Sequence, residues 1–406
     1  MSAVVTPGSG INHVREVAVL IYSFNESMIK FGELRVQKHV PPKDFKSIRV
    51  SNSNYVLDDH AVLIYTGLTF PQLDFSRNKN SSHALETSLY RIELLVNTTS
   101  LANESLNIEP QWMKESMEHI GALILYDLAI PGTYQSGAYR RYTHADVEDE
   151  LVRAAYCQEE DVLTQLMFGI RYLDLRPVAV MSWKLISPKS YWIYNGKLPT
   201  GHLLDHILED IRYFLEQFPK EVVFINFNIR FHSTKDYDNL KKLVDEKLGS
   251  QVYPRINGTT LHFVMRQRFS KVVEENHRAI VMYRNHHSIT GLVLPGVVHI
   301  KAKNYNTDIV RVVLEHKLSR QRASFIWFFN LIAVPLVPIR IFPESNREIA
   351  HRMGLKISSW LYHDSAFWQN INIISVYYFL GSDIVSLCKE LNVLRISEPP
   401  KIRPGN

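Results

Sequence analysis

The sequence predicts a two-part α/β chain: a small all-β, sandwich-like domain at residues 1–112, then a (β/α)8, TIM-type barrel at residues 113–406. Near residue 113, short strands separated by polar turns give way to strands that alternate with amphipathic helices. Eight strand candidates then follow in roughly 290 residues, which is the count of one barrel. The chain has 406 residues, so two domains account for its whole length.

The first domain is predicted from segments rich in Val, Ile, Leu and Tyr that are separated by Asn, Ser, Asp and Pro. No long amphipathic helix interrupts them, which favours an antiparallel β-sandwich. The polar stretch 97–110 is interpreted as a linker that closes the domain. The predicted strands are 15–21, 33–37, 47–50, 61–65 and 89–96.

The barrel is predicted from apolar strands and from helices of clear 3.6-residue periodicity. The stretch 202–218 carries an apolar stripe and is stopped by Pro219, and 383–394 repeats the pattern. In this fold, chemistry is located at the C-terminal ends of the strands. The predicted strands are 123–128, 172–175, 191–194, 222–227, 279–283, 297–300, 324–329 and 372–378.

Composition excludes several classes of function. The net charge of +5 is too dilute for a nucleic-acid-binding surface, so no nucleic-acid partner is expected. The two cysteines, Cys157 and Cys388, cannot build a disulfide framework or a cysteine zinc site. The 17 histidines suggest an acid–base enzyme, and this suggestion has to be tested position by position.

The sequence leaves the compartment open. The first residues contain neither a cationic start nor an apolar segment, which predicts a cytoplasmic or peripheral membrane protein. The apolar stretch 323–342 has the length of a membrane span, about 20 residues, but contains Asn330, two prolines and Arg340. It is interpreted as a buried strand that runs into an apolar loop. The chain also contains N-x-S/T sequons, some of which arise by chance, and the protein would be secreted if its N-terminus is incomplete. The sequons begin at Asn25, Asn80, Asn97, Asn103 and Asn257.

Distinctive motifs stand at the predicted strand ends. The first strand runs into L-A-I-P-G-T-Y-Q-S at residues 128–136, and the second is G-I-R-Y-L-D-L-R at 169–176. The third ends in Y-N-G at 194–196, P-K-E-V-V follows at 219–223, and the last is N-I-I-S-V-Y-Y-F at 372–379.

In this order and spacing, the motifs resemble the X domain of phosphatidylinositol-specific phospholipases C, above all the animal X-domain-containing proteins. The resemblance covers residues 118–395. It implies phosphodiester cleavage, in which one histidine takes the proton of the inositol 2-hydroxyl and a second protonates the leaving diacylglycerol oxygen. An arginine or a calcium ion neutralises the phosphoryl oxygens.

The resemblance fails at the proton-transfer positions. Tyr134 occupies the place of the first histidine, and Asn195 occupies the place of the second. Gln135 and Tyr377 stand where relatives have acidic residues. The block that contains Asp174 and Arg176 does match, so the resemblance implies an arginine in place of calcium, no metal and no cofactor.

These substitutions predict a catalytically impaired protein. A phenol with a pKa near 10 is a poor base at neutral pH, and an amide such as Asn195 cannot transfer a proton. Arg176 and Tyr377 are therefore expected to bind a phosphoinositide or another anionic phosphodiester headgroup. A membrane surface and an unidentified protein partner are the other partners that this hypothesis includes.

Two alternatives stay open. One is an active phosphodiesterase in which Tyr134 or a displaced histidine acts as the base. The H-x-x-x-H pair of His202 and His206 has the spacing of a two-histidine metal site, but is interpreted as two polar positions beside a helix. The remaining candidates for a displaced histidine base are His144, His286 and His287.

The other alternative is an extracellular structural or adhesion protein.

Overall fold

The structure is a computed structural model of the whole chain. It describes residues 2–7, 15–21, 32–39, 44–49, 55–58, 61–70, 73, 75, 88–139, 156–180, 190–229, 234–254, 261–284, 297–301, 311–312, 328–332, 350, 356, 360–361 and 371–397.

Eight strands form two antiparallel four-stranded sheets in the N-terminal part. One sheet has the order β1-β2-β6-β5 and the other β4-β3-β7-β8. Each of the five predicted strands is present, and β1, β5 and β8 are additional. The strands are β1 (Ser2–Pro7), β2 (Arg15–Ile21), β3 (Gly32–Lys38), β4 (Asp44–Arg49), β5 (Tyr55–Asp58), β6 (Ala61–Thr69), β7 (Ser88–Val96) and β8 (Thr99–Asn107).

Strand β8 shows that the predicted linker at 97–110 is wrong. Asn97 and Thr98 both have positive φ, 50° and 65°, which is the backbone of a tight hairpin turn between β7 and β8. Leu106 is the only residue of β8 that is fully buried. Because β8 is an edge strand with its side chains mostly in solvent, it lacks the apolar alternation by which strands are predicted. Asn97 and Asn103, two of the sequon asparagines, are exposed on this hairpin.

The two sheets contribute to one apolar core. Leu34 and Val36 of β3 and Ile92 of β7 point inward from one sheet, and Val19 and Ile64 do so from the other. In β3 the buried Leu34 and Val36 alternate with the exposed Arg35 and Gln37, as expected of a sandwich strand with one face in solvent.

The C-terminal part contains a parallel sheet of seven described strands. Its order is β15-β14-β10-β9-β18-β17-β16, and every neighbouring pair is parallel. The strands are β9 (Ile130–Thr133), β10 (Tyr172–Leu175), β14 (Val223–Asn228), β15 (Ala279–Arg284), β16 (Val297–Lys301), β17 (Phe328–Ile332) and β18 (Ile373–Val376).

Helices cover this sheet. The predicted helix 202–218 extends from Leu204 to Gln217 and buries the predicted stripe, and the predicted helix 383–394 extends from Ile384 to Ser397. No helix among the described residues is both long and apolar enough to cross a bilayer. The helices are α1 (Trp112–Glu115), α2 (Met117–Ile120), α3 (Val162–Met167), α4 (Leu204–Gln217), α5 (Thr234–Leu248), α6 (Leu261–Met265), α7 (Phe269–Glu274) and α8 (Ile384–Ser397).

Two predicted barrel strands are corrected. Residues 125–127 of the first are a turn of 3-10 helix, and the strand begins only at Ile130. Residues 191–194 belong to a separate antiparallel sheet of β11 (Pro177–Val180), β12 (Ser190–Asn195) and β13 (Leu198–Leu203). In β12 only alternate side chains are buried, whereas β14 is buried on both faces, as a covered parallel strand must be.

The alternation of the parallel strands separates two apolar cores. Tyr172 and Phe224 belong to a core on the inner face of the sheet, and Leu173 and Ile225 belong to the core beneath the helices. Continuing along β10, this alternation puts Asp174 on the inner face, near the C-terminal end of the strand. A polar site is therefore built above an apolar interior.

An ion pair closes the opposite end of β10. Arg171 and Glu221 are both fully buried, and Nε and Nη2 of Arg171 donate to Glu221 Oε2 at 2.9 and 2.7 Å. Arg171 also donates to the carbonyl oxygens of Pro110, Leu166 and Ile170 at 2.8 to 2.9 Å. One side chain thus joins the entry to α1, the end of α3 and the loop before β14.

Candidate functional site

The site begins in the turn that follows β9. Gln135 has a φ of 50°, a conformation that is unfavourable for a residue with a side chain. Hydrogen bonds hold it on both sides: the Tyr134 amide donates to the Val376 carbonyl at 3.0 Å, and the Ser136 amide donates to the Asp174 carbonyl at 2.9 Å. The turn therefore directs Tyr134 to the C-terminal edge of the sheet.

Asp174 is the buried anion at the centre of the site. Its Oδ2 accepts hydrogen bonds from the Gln135 amide at 3.3 Å and from Nη2 and Nε of Arg176 at 3.2 and 3.3 Å. Its Oδ1 accepts from Asn226 Nδ2 at 3.0 Å. Two neutral donors and one cation therefore fix the carboxylate, which in turn orients the guanidinium of Arg176.

Arg176 lies against an aromatic ring and is partly open to solvent. Its Cζ is 4.4 Å from the centroid of the Tyr134 ring, and its side chain is 18% exposed. Burial alone lowers the pKa of Arg176, but the carboxylate of Asp174 and the Tyr134 phenol outweigh it, so the net shift is upward. Arg176 is therefore a permanent cation, and part of it is accessible.

Among the described residues, Tyr377, Asn195 and Cys157 also lie beside Tyr134 and Arg176. The ring of Tyr377 meets the ring of Tyr134 edge-on, with centroids 5.1 Å apart, and Asn195 Nδ2 lies 3.5 Å from Cys157 Sγ. Burial raises the pKa of Cys157 to about 12 and raises the pKa values of Tyr134 and Tyr377 above that of an ordinary phenol.

The five residues selected from the sequence lie in one connected group. Asp174 contacts Arg176, Arg176 contacts Tyr134, Tyr134 contacts Tyr377, and Cys157 links Tyr377 to Asn195. Around Arg176, the described part of the chain presents one cation, one paired carboxylate and neutral groups. Such an arrangement can bind an anion.

Sequence reasoning missed Cys157 and Asn226. Asn226 has a detectable signal, because its register partner on β10 is Asp174 and both side chains face inward. Cys157 has none, because it reaches the site in a segment without regular secondary structure.

The H-x-x-x-H pair does not form a metal site. His202 lies on β13 while His206 is exposed on α4, so the two do not share the helix that their spacing requires. His202 Nε2 is 2.8 Å from the Tyr139 carbonyl oxygen, its ring stacks on that of Tyr139, and burial lowers its pKa. No cluster of three or more His, Cys, Asp or Glu side chains among the described residues is suited to a metal ion.

Some predicted features lie outside the described residues. They include the three displaced histidine candidates His144, His286 and His287, the sequons that begin at Asn25, Asn80 and Asn257, and most of the stretch 323–342. Within that stretch, residues 328–332 form the parallel strand β17.

Comparison with known proteins gives similar sequences, although no family model matches the chain. The mouse protein named PI-PLC X domain-containing protein 3 is 27% identical over 319 residues, which cover 69% of this chain and 92% of the mouse protein. The 1-phosphatidylinositol phosphodiesterase of Staphylococcus aureus (strain Newman) is 28% identical over 146 residues. That match covers 35% of this chain and spans about two fifths (39%) of the staphylococcal enzyme.

Two solved structures share the fold. Phosphatidylinositol-specific phospholipase C of S. aureus, in a structure concerned with its membrane binding, superposes with a TM-score of 0.52 at 16% identity. The match covers 70% of this chain and 97% of that one. The enzyme of the same name from Listeria monocytogenes superposes with a TM-score of 0.51 at 18% identity and covers 70% and 98%.

Proposed function

We propose that this chain, a homologue of the PI-PLC X domain-containing proteins, binds an anionic phosphodiester headgroup at Arg176 and does not cleave it. The chemical basis is a guanidinium that Asp174 orients and Tyr134 flanks, with part of the side chain left open. An oriented guanidinium binds phosphate oxygens through charge-assisted hydrogen bonds. A phosphoinositide in a membrane surface is the ligand that the named relatives suggest.

One observation carries the proposal: burial disfavours ionisation of the Tyr134, Tyr377 and Cys157 side chains, which lie in the described group around Arg176. Cleavage requires a base for the attacking hydroxyl and an acid for the leaving oxygen. Tyr134 and Asn195 occupy the places of the two histidines, and Cys157 beside them has a pKa of about 12. The alternative of Tyr134 as a base is disfavoured because burial moves its pKa further from neutrality.

Arg176→Gln is expected to weaken binding to phosphatidylcholine vesicles that contain phosphatidylinositol by about 10- to 100-fold, because a charge-assisted contact is lost. Vesicle co-sedimentation measures the effect. Arg176→Lys is expected to retain part of the affinity, because the charge remains while the planar fork is lost.

Arg212→Gln is the matched control for this experiment. Arg212 lies on α4, is half exposed and pairs with Glu216 at 3.6 Å, away from the site. The Arg212→Gln variant is expected to bind vesicles that contain phosphatidylinositol as well as the unmodified chain does. Vesicles of phosphatidylcholine alone should bind neither protein. A folded Arg176→Gln variant that binds as well as Arg212→Gln would refute the proposed role of Arg176.

The architecture proposed around the site has two further parts. We propose that the parallel sheet closes into a (β/α)8 barrel, because β15 and β16 are its two outer strands and the similar phospholipase C structures superpose over nearly their whole length. We also propose that the domains divide at residue 112, where the last strand of the β-rich part has ended and the first helix begins.

A further inference from the structure

The segment 156–161 joins the two sides of the candidate site. The Cys157 amide donates to the Ala138 carbonyl at 2.8 Å, just after the turn that carries Tyr134. Gln158 Nε2 donates to the carbonyl oxygens of Tyr134 and Val376, each at 3.0 Å. The position of this segment therefore determines where Tyr134 and the end of β18 lie.

The other end of the same segment is held by the N-terminal β domain. Arg15 of β2 pairs with Glu160 and lies 3.5 Å from Glu159, and all three side chains are at most 9% exposed. The guanidinium also lies over the Phe70 ring, 4.9 Å from its centroid. Burial raises the pKa of Glu160 to about 7, and Arg15 opposes that shift. Without Arg15, this carboxyl group would lose its cation in a dry interface.

A chain of hydrogen bonds continues from the backbone carbonyl of Glu160 to the backbone amide of Asp174. Gln165 Nε2 donates to the carbonyl oxygens of Glu160 and Ser136 at 2.7 and 2.9 Å. Gln165 Oε1 accepts from Thr133 Oγ1 at 2.7 Å, and Ser136 Oγ accepts from the Asp174 amide at 2.9 Å. The path from Arg15 to Asp174 therefore consists of buried groups.

An apolar contact runs beside it. The Phe70 ring packs on the Phe168 ring with centroids 6.4 Å apart, and the Phe168 ring meets the Phe379 ring at 5.9 Å. Phe379 opens the helical turn that follows Tyr377 and Tyr378. The β domain thus supports the site from two directions.

We propose that the N-terminal β domain braces the candidate site, and that Arg15 is the positioning residue that holds residues 156–161 against the turn after β9. Residues 1–112 then form part of the site's support, which their own sequence does not suggest. The inference does not require that the site bind a headgroup, so it can be tested apart from the proposed function.

The two cysteines provide the test. Cys157 lies in the braced segment and Cys388 lies in α8, and both are fully buried. In native full-length Arg15→Gln, labelling of Cys157 by a thiol reagent is expected to accelerate by more than about tenfold, because the segment opens locally, while Cys388 keeps its rate. Mass spectrometry reports each site separately. Arg15→Lys, which keeps the cation, is expected to restore most of the protection.

Arg91→Gln is the matched control, since Arg91 is exposed on β7 of the same domain and contacts Asn103. It should change neither rate. Glu160→Gln, which keeps an acceptor of the same shape, is a milder second variant with the same selective effect on Cys157. Equal acceleration at both cysteines would show general destabilisation and overturn the proposal, as would unchanged protection of Cys157 in Arg15→Gln and Glu160→Gln. Vesicle binding by the same variants, measured separately, tests whether the site binds a headgroup.

Discussion

The double variant Tyr134→His with Asn195→His is expected to cleave phosphatidylinositol at a rate at least about 10²-fold above the background release measured with the unmodified chain, within the 10²–10⁴-fold range of one acid–base group. The reason is that both substituted positions lie in the group around Arg176 and Asp174, where imidazoles would supply the missing proton transfers. Release of inositol phosphates from phosphatidylinositol vesicles measures the gain.

Each single variant is expected to gain much less, because groups that act as a unit do not contribute independently. Adding Arg176→Gln to the double variant should abolish the gain, since the transition-state charge then lacks its cation. A further variant adds Tyr377→Asp to the double variant, which supplies the carboxylate that the phospholipase C resemblance implies there. If the double variant and the triple variant with Tyr377→Asp are both folded and as inactive as the unmodified chain, the assignment of these positions is contradicted.

Arg171→Ala is expected to produce the largest loss of stability in the part of the chain that contains the parallel sheet. Removing one partner of a buried ion pair costs about 3–5 kcal/mol, against a total free energy of unfolding of about 5–15 kcal/mol for a native protein. The variant also leaves Glu221 without its cation and three carbonyl groups without their donor. Urea unfolding followed by circular dichroism measures the change.

The comparison for this variant is Arg212→Ala. Arg212 and Glu216 form an exposed i,i+4 pair, which contributes about 0.3–0.5 kcal/mol at most. Glu221→Gln should be destabilised nearly as much as Arg171→Ala, because it leaves Arg171 charged and unpaired in the interior. Similar small losses in Arg171→Ala and Arg212→Ala would show that the buried network around Arg171 is not a principal support of the parallel-sheet part of the chain.

The sequence predicts best those elements that bury only one face, because their apolar residues then recur with a clear period. The stripe of α4 and the stop at Pro219 locate that helix to within two residues at its start and one at its end. Strand β8 escapes prediction because its partner satisfies its backbone while its side chains face solvent. The sequence pattern assigns strand β12 to the predicted barrel, whereas it pairs with β11 in a separate sheet, because a short apolar run does not reveal which sheet it joins.

The residues of the site also fall into two groups: those that the sequence alone selects and those that only the structure reveals. Asp174, Arg176 and Tyr134 lie in motifs of contiguous residues, so the sequence alone selects them. Cys157 and Arg15 enter through contacts between residues far apart in the chain: 144 and 145 positions separate Arg15 from Glu159 and Glu160. No local pattern encodes such a pairing, because it depends on how the two domains pack.

Turnover of phosphatidylinositol by the purified unmodified chain, measured across acidic to alkaline pH, tests most directly whether the site binds without cleaving. The account predicts no release of inositol phosphates above that of the folded Arg176→Gln variant at any pH, while vesicle binding still depends on Arg176. Turnover that Arg176→Gln abolishes would contradict it. A rate that rises toward alkaline pH would then identify a phenol such as Tyr134 as the base.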